Sequence, residues 1–230
     1  MSSSDITEKN IAYWDDIFAR RAWGKYPPEE LVRFIARTFP EAATRRQQRI
    51  LEVGCGPGAN LWFLSREGFE IAGIDGSAHA INEAKERLRR ENLADEQRVD
   101  LRTGNFAKLP WSDASFDAVI DIVSIYANTM PTIRSVIAEV HRVLKPGGWF
   151  FMMVFAPETT GATSGKKLEE GTTADPAEGP LQGLGVTHVF TDQELRGELK
   201  MFGEISLDWM RRSDRGGMYE FTHWIAQARK

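Results

Sequence analysis

The stretch Ile50-Leu51-Glu52-Val53-Gly54-Cys55-Gly56-Pro57-Gly58 limits what this chain can fold into more than any other. A short apolar strand runs into three glycines within five residues, and Asn60 to Glu67 then has the character of a helix. A buried strand that turns through glycine into a helix is the opening unit of an open α/β sheet, which binds ligands outside the carboxyl ends of its strands. Glycine serves there because it takes backbone conformations other residues avoid and lets a ligand approach the chain closely.

The rest of the sequence repeats this alternation. Strands are predicted at Glu70 to Ile74, Arg98 to Arg102, Phe116 to Val123 and Trp149 to Phe155. Helices are predicted at Ala78 to Glu91 and along the stripe Ile133, Val136, Ile137, Val140, Val143 and Leu144, the latter ended by Lys145-Pro146-Gly147-Gly148. Alternating strands and helices imply a parallel sheet with right-handed crossovers and helices on both faces. Two amphipathic helices, Asp5 to Arg20 and Glu29 to Thr38, come first. Pro157 to Val186 has six glycines, three prolines, five threonines and no usable periodicity, which predicts either disorder or a functional lid. A helix with the capping-box residues Thr191 and Glu194 follows, then strands near Ile205 to Trp209 and Tyr219 to Ala228. A hairpin-like break at Arg212 to Gly217 makes those last two antiparallel. The expected fold is one doubly wound, Rossmann-like sheet, with an N-terminal helical cap over 1–40, a catalytic domain over 41–230 and a lid over 157–187.

Composition narrows the function classes. With 29 basic and 33 acidic residues, a net charge of −4, the chain lacks the basic face expected for nucleic-acid binding. The short arginine clusters, including Arg211, Arg212 and Arg215, read as solvated surface interleaved with acids. Cys55 is the single cysteine, and no apolar run approaches the roughly 20 residues that span a bilayer. A cytoplasmic protein without membrane or nucleic-acid partners, a monomer or homodimer, is the expectation. Four scattered histidines and one cysteine give no metal-ligand spacing.

The glycine loop also satisfies the dinucleotide pattern when read loosely, with Gly54, Gly56 and Ala59. That reading needs backbone N–H groups to hold a pyrophosphate. Pro57 has none, and Glu52, just before the loop, would repel a diphosphate. S-adenosyl-L-methionine fits better, since it carries an ammonium and a sulfonium and no phosphate. Asp75 ends the second strand, 21 residues after Gly54, where a carboxylate accepts from ribose hydroxyls. That placement is shared with NAD enzymes; its combination with Glu52 and Pro57 is not.

Five segments, ILEVGCGPG, IAGIDGS, GNFAKLPW, FDAVID and HRVLKPGGWF, together resemble the class I S-adenosylmethionine-dependent methyltransferases in order and spacing, over about Arg49 to Phe155. THVFTDQELRGEL also resembles the late helix of that family. The resemblance implies a seven-stranded sheet with the seventh strand antiparallel. It implies that Glu52, Gly54 and Gly56 line the methionine part of the donor, that Asp75 holds the ribose, and that Gly76 and Ser77 pass beside the adenosine. Asn105 and Phe106 would flank the adenine, with Asn105 where the family commonly has Asp. Asp121 would lie beneath the sulfonium, or else bond a neighbouring loop. The run from Tyr13 to Arg37 is similar to methyltransferases of bacterial sugar and polysaccharide pathways.

For several residues two readings stand. Tyr126 follows the fourth strand and is either a catalytic group facing the acceptor or part of the pocket wall. His188 is either a general base or an exposed loop residue. Trp23 and Tyr26 form either a flap over the donor or a packed aromatic turn. The predicted activity is O- or N-methylation of a small polar molecule, such as a sugar or other secondary metabolite. A non-catalytic S-adenosylmethionine-binding protein and an NAD(P)-dependent oxidoreductase are the competing classes.

Overall fold

The computed structural model describes residues 3–230. Helix α1 (Ser3–Arg20) and α2 (Glu29–Thr38) come first, and α2 buries Leu31, Phe34 and Ile35 as its periodicity predicts. A 3-10 turn at Ala42–Gln47 leads into β1 (Arg49–Val53), followed by α3 (Ala59–Arg66), β2 (Glu70–Asp75), α4 (Ala78–Arg90) and β3 (Val99–Thr103). Then come β4 (Phe116–Ile122), α5 (Met130–Val143) and β5 (Leu144–Phe155). The last stretch holds β6 (Lys166–Glu169), β7 (Thr172–Ala174), β8 (Val186–His188), α6 (Asp192–Glu198), β9 (Glu204–Asp214) and β10 (Tyr219–Arg229).

Seven strands make one sheet in the order β3-β2-β1-β4-β5-β10-β9. The first five are parallel, and β10 runs antiparallel to both β5 and β9. Strand order reverses between β1 and β4, and such a switch point opens a crevice at the strands' carboxyl ends. Apolar cores cover both faces of the sheet. One holds Leu51, Val119, Ile133, Val136 and Phe150; the other holds Phe34, Ile50, Leu61, Ile120 and Phe151. At the opposite end of β4, Asp117 accepts from the Arg49 amide and pairs with Lys145 at 2.8 Å, a structural role.

Helix α1 lies across the carboxyl edge. Its Asn10 donates to the Ala127 carbonyl (2.5 Å), and its Asp15 accepts from the Ser77 hydroxyl (2.5 Å) and the His79 amide (3.1 Å). Ile11 packs so tightly on Gly76 that a Cβ there would stand 2.7 Å from it. One helix thereby ties the β2–α4 turn to the β4–α5 loop.

Three differences from the sequence reading have physical causes. Strand β5 starts at Leu144, because its first residue already pairs with Phe116 before an irregularity at Gly147 and Gly148. The segment read as either disordered or a functional lid is ordered, and carries strands the sequence did not mark, an antiparallel sheet in the order β6-β7-β8. Its strands are only three or four residues long, and Thr172, Thr173 and Thr187 fill buried positions, so no apolar alternation marks them. The capping box of α6 is half formed. Thr191 accepts from the Glu194 amide, but the Glu194 carboxylate turns to His188.

Candidate functional site

A cavity of about 510 Å³ opens over the carboxyl ends of β1, β2, β4 and β5. The glycine loop makes its floor, α1 and the turn before α2 one wall, and Pro180, Gln182, Leu184, Arg212 and Phe221 another. The glycines are there for space. At Gly54 (φ +64°) a Cβ would sit 2.2 Å from the Ser124 hydroxyl, and at Gly58 (φ +81°) one would sit 2.8 Å from Ala84.

The loop's own N–H groups are consumed internally. Gly54 and Cys55 donate to the Ile74 carbonyl, Gly56 donates to the Asp75 carboxylate at 2.8 Å, and Gly58 donates to the Cys55 carbonyl. Pro57 has no N–H to give. The loop therefore offers no row of free amides to a diphosphate.

It is built over carboxylates instead. Asp75 accepts from the amides of Gly56 and Ser77, and burial raises its pKa. Glu52 accepts from the Asn60 side chain (2.6 Å) through one oxygen, and burial pushes its pKa well up. One oxygen of Asp121 accepts from the Ser124 hydroxyl and from the amides of Ser124 and Ile125, and burial pushes its pKa up to about 7. That bonding to the loop is one of the two roles expected of Asp121. Around the loop three buried acceptors, Glu52 Oε2, Asn60 Oδ1 and Asp121 Oδ2, have no partner among the described residues, and the cavity-lining Trp14 Nε1 is a buried donor without one. A buried polar atom without a partner costs on the order of 1–3 kcal/mol, so the three acceptors together call for a cation or a donor group.

Glu52, Gly54, Gly56, Asp75, Gly76, Ser77, Asn105, Phe106, Trp23, Tyr26 and Tyr126 all line this cavity. Asn105 uses its Oδ1 to accept from the Ala107 amide (2.9 Å), which shapes the turn that presents Phe106. Trp23 packs edge-on against Trp14 and Phe18, and Tyr26 against Trp62, as the packed aromatic turn predicts, while both residues also line the cavity. Tyr126 is buried, edge-on to Phe155 with ring centres 4.7 Å apart. Burial and the nearby Asp121 charge raise its hydroxyl pKa, which suits it to donating a hydrogen bond and unsuits it to taking a proton.

His188 is neither of the things predicted for it. It is fully buried, does not line the cavity, and holds Thr172 Oγ1 on Nδ1 (2.7 Å) and Glu194 Oε2 on Nε2 (3.2 Å). Burial lowers its pKa. It pins the small sheet to α6. Sequence reading missed Asn60, Trp14, Arg21 and Arg212, all of which line the cavity. Asn60 could have been found from its place on the helix that the glycine loop opens. The arginines carry no such mark among other surface charges.

Comparison with known proteins agrees with this architecture. A family profile described as a methyltransferase domain matches residues 50–148. The fatty-acid O-methyltransferase of Mycolicibacterium smegmatis is 31% identical over 150 residues, covering 59% of this chain and 52% of that protein. A sterol 24-C-methyltransferase of Saccharomyces cerevisiae is 29% identical over 161 residues, covering 64% of this chain and 41% of that protein. The chain spans about half or less of the length of these relatives. Among solved structures, an S-adenosylmethionine-dependent methyltransferase of Methanosarcina mazei is similar with a TM-score of 0.64 at 25% identity, covering 80% of this chain and 92% of that one. The 1,6-didemethyltoxoflavin-N1-methyltransferase of Burkholderia thailandensis, solved with S-adenosylhomocysteine, shares the fold with a TM-score of 0.65 at 15% identity, over 100% of this chain and 91% of that one. Residues 50–148 thus match a methyltransferase domain, and the strand order and glycine loop give the chain the fold of the class I S-adenosylmethionine-dependent methyltransferases.

Proposed function

We propose that this protein transfers the methyl group of S-adenosylmethionine to a small acceptor bound in the same cavity. The observation that carries the reading is the set of unpartnered buried oxygens on Glu52, Asn60 and Asp121 beneath a loop with no free amides. That floor suits a cationic ligand and repels a diphosphate, which favours this donor over a nicotinamide dinucleotide.

When bound, S-adenosylmethionine supplies a methyl group already activated by the positive sulfur. The chain's own work is then to bind, align and exclude water, and correct alignment alone contributes much of a bimolecular rate enhancement. In this reading Asp75 takes the ribose hydroxyls, Gly76, Ser77, Asn105 and Phe106 flank the adenosine, and Glu52, Gly54, Gly56 and Asn60 hold the methionine part. Asp121 gives the floor its charge from below, and Trp23 and Tyr26 close the side. Helix α1 already covers the edge through Asn10, Ile11 and Asp15, which supports a shielded site rather than an open groove. Because about 510 Å³ must hold both donor and acceptor, the acceptor is small. The folded segment over 157–187 contributes Pro180, Gln182 and Leu184 to the acceptor side. The cytoplasmic setting expected from the lone cysteine fits such chemistry.

The test is donor binding by Asp75→Ala. Losing hydrogen bonds to a charged group should weaken S-adenosylhomocysteine by roughly 1–3 kcal/mol in a calorimetric titration. An unchanged dissociation constant in a folded variant removes Asp75 from the donor site.

A further inference from the structure

Charge is divided within the cavity. Its lining acids, Glu52 and Asp75, sit on the floor, whereas its two lining cations are Arg21, beside the end of α1 and over the Trp23 ring, and Arg212 on the far wall, on β9. Arg212 has no carboxylate within ion-pair distance among the described residues, although its neighbour Arg211 pairs with Glu220. Its guanidinium lies over the Phe221 ring, 4.5 Å from the ring centre. The sheet register sets Arg212 opposite Phe221 and His223 opposite Phe155. Phe221 and His223 are two residues apart on β10, so Arg212, Phe221, His223 and Phe155 share one face across three neighbouring strands. Phe155, Phe221 and Tyr126 give this part of the cavity apolar walls, with Leu184 and Pro180 completing it.

Neither an imidazole nor a phenolate serves this cavity as a base. No histidine lines it among the described residues. His223 is buried behind Phe155 and Phe221, and burial, with the Arg212 charge, lowers its pKa to about 4. Tyr126 holds its proton.

Resting on the methyl-transfer reading, we propose that the acceptor is a small organic acid with a flat, apolar body, whose anionic group pairs with Arg212 and whose body packs against Phe221, Phe155 and Tyr126. Arg212 then determines specificity: its planar fork fits a carboxylate, and Phe221 already holds it by stacking. A long-chain fatty acid shares the anionic group, but its tail would have to extend out of a cavity of about 510 Å³ that also holds the donor.

The experiment is a calorimetric panel of hydroxybenzoic acids, the matching hydroxybenzamides and hexadecanoate, titrated with and without saturating S-adenosylhomocysteine. The aromatic acids should bind at least about tenfold more tightly than their amides. Arg212→Gln should erase that preference and Arg212→Lys should keep part of it, while the affinity for S-adenosylhomocysteine stays unchanged in both. Arg212 is exposed near a hairpin end, so neither change threatens folding. Equal binding of acids and amides, no binding by any aromatic acid, tighter binding of hexadecanoate, or a preference that survives Arg212→Gln would each overturn the proposal. Failure of S-adenosylhomocysteine to bind would instead strike the donor reading, because the acid preference is measured without it as well.

Discussion

Replacing Asp121 by Asn should make the ligand-free protein more stable at neutral and alkaline pH. Asp121 is fully buried, and one of its oxygens takes all three of its hydrogen bonds while the other has none. Burial raises its pKa from 3.8 to about 7. Between those values the folded chain keeps a proton that the unfolded chain has released, so stability falls as pH rises. The contribution is fully present below about pH 4 and lost once pH passes about 7. About three pKa steps at 1.36 kcal/mol each give roughly 4 kcal/mol. Asn keeps an oxygen for the Ser124 and Ile125 donors and carries no charge, so the variant escapes this loss. Urea unfolding of both proteins from pH 4 to pH 9, without ligand, reads the difference directly. The stability gap between variant and wild type should widen by roughly 4 kcal/mol over that range. A gap that stays flat with pH would refute the buried, under-bonded carboxylate, and with it the electrostatic account of the floor.

Two further outcomes follow from packing. Gly54→Ala should weaken S-adenosylhomocysteine binding strongly, since the new Cβ meets the Ser124 hydroxyl at 2.2 Å and a left-handed alanine costs roughly 1–2 kcal/mol; Gly54→Ala with Ser124→Gly should recover the steric part only, and wild-type binding by the single variant would contradict the loop geometry. His188→Phe should lower stability by roughly 1–3 kcal/mol, because Thr172 and Glu194 lose a buried partner. Its donor affinity should match the wild type in the same titrations, and a selective loss of donor binding would reinstate His188 as a site residue.

What the sequence made legible was whatever repeats or turns sharply. The strand-to-glycine junction at Val53 and Gly54, the apolar run of β4 and the stripe of α5 carry periodicities that survive without tertiary context. The cavity-lining residues of the glycine loop and of the end of β2 were legible because those elements fix where they stand. The small sheet of β6, β7 and β8 was not, since threonines pairing with threonines and carbonyls replace an apolar face. His188 was misread for the same reason: its burial depends on Glu194 and Thr172, which only the fold brings to it. Arg212 sits in a row of arginines, and nothing local separates the one that lines a cavity from the one that pairs with Glu220. Long-range placement decided each of these.

A crystal structure of the protein grown with S-adenosylhomocysteine tests the central claim most directly. The ribose hydroxyls should lie within hydrogen-bond distance of Asp75, with the adenine beside Phe106 and the ammonium of the methionine part over Glu52 and Asn60. A ligand bound elsewhere, or a donor cavity occupied with its ammonium turned away from those unpartnered oxygens, would contradict the account.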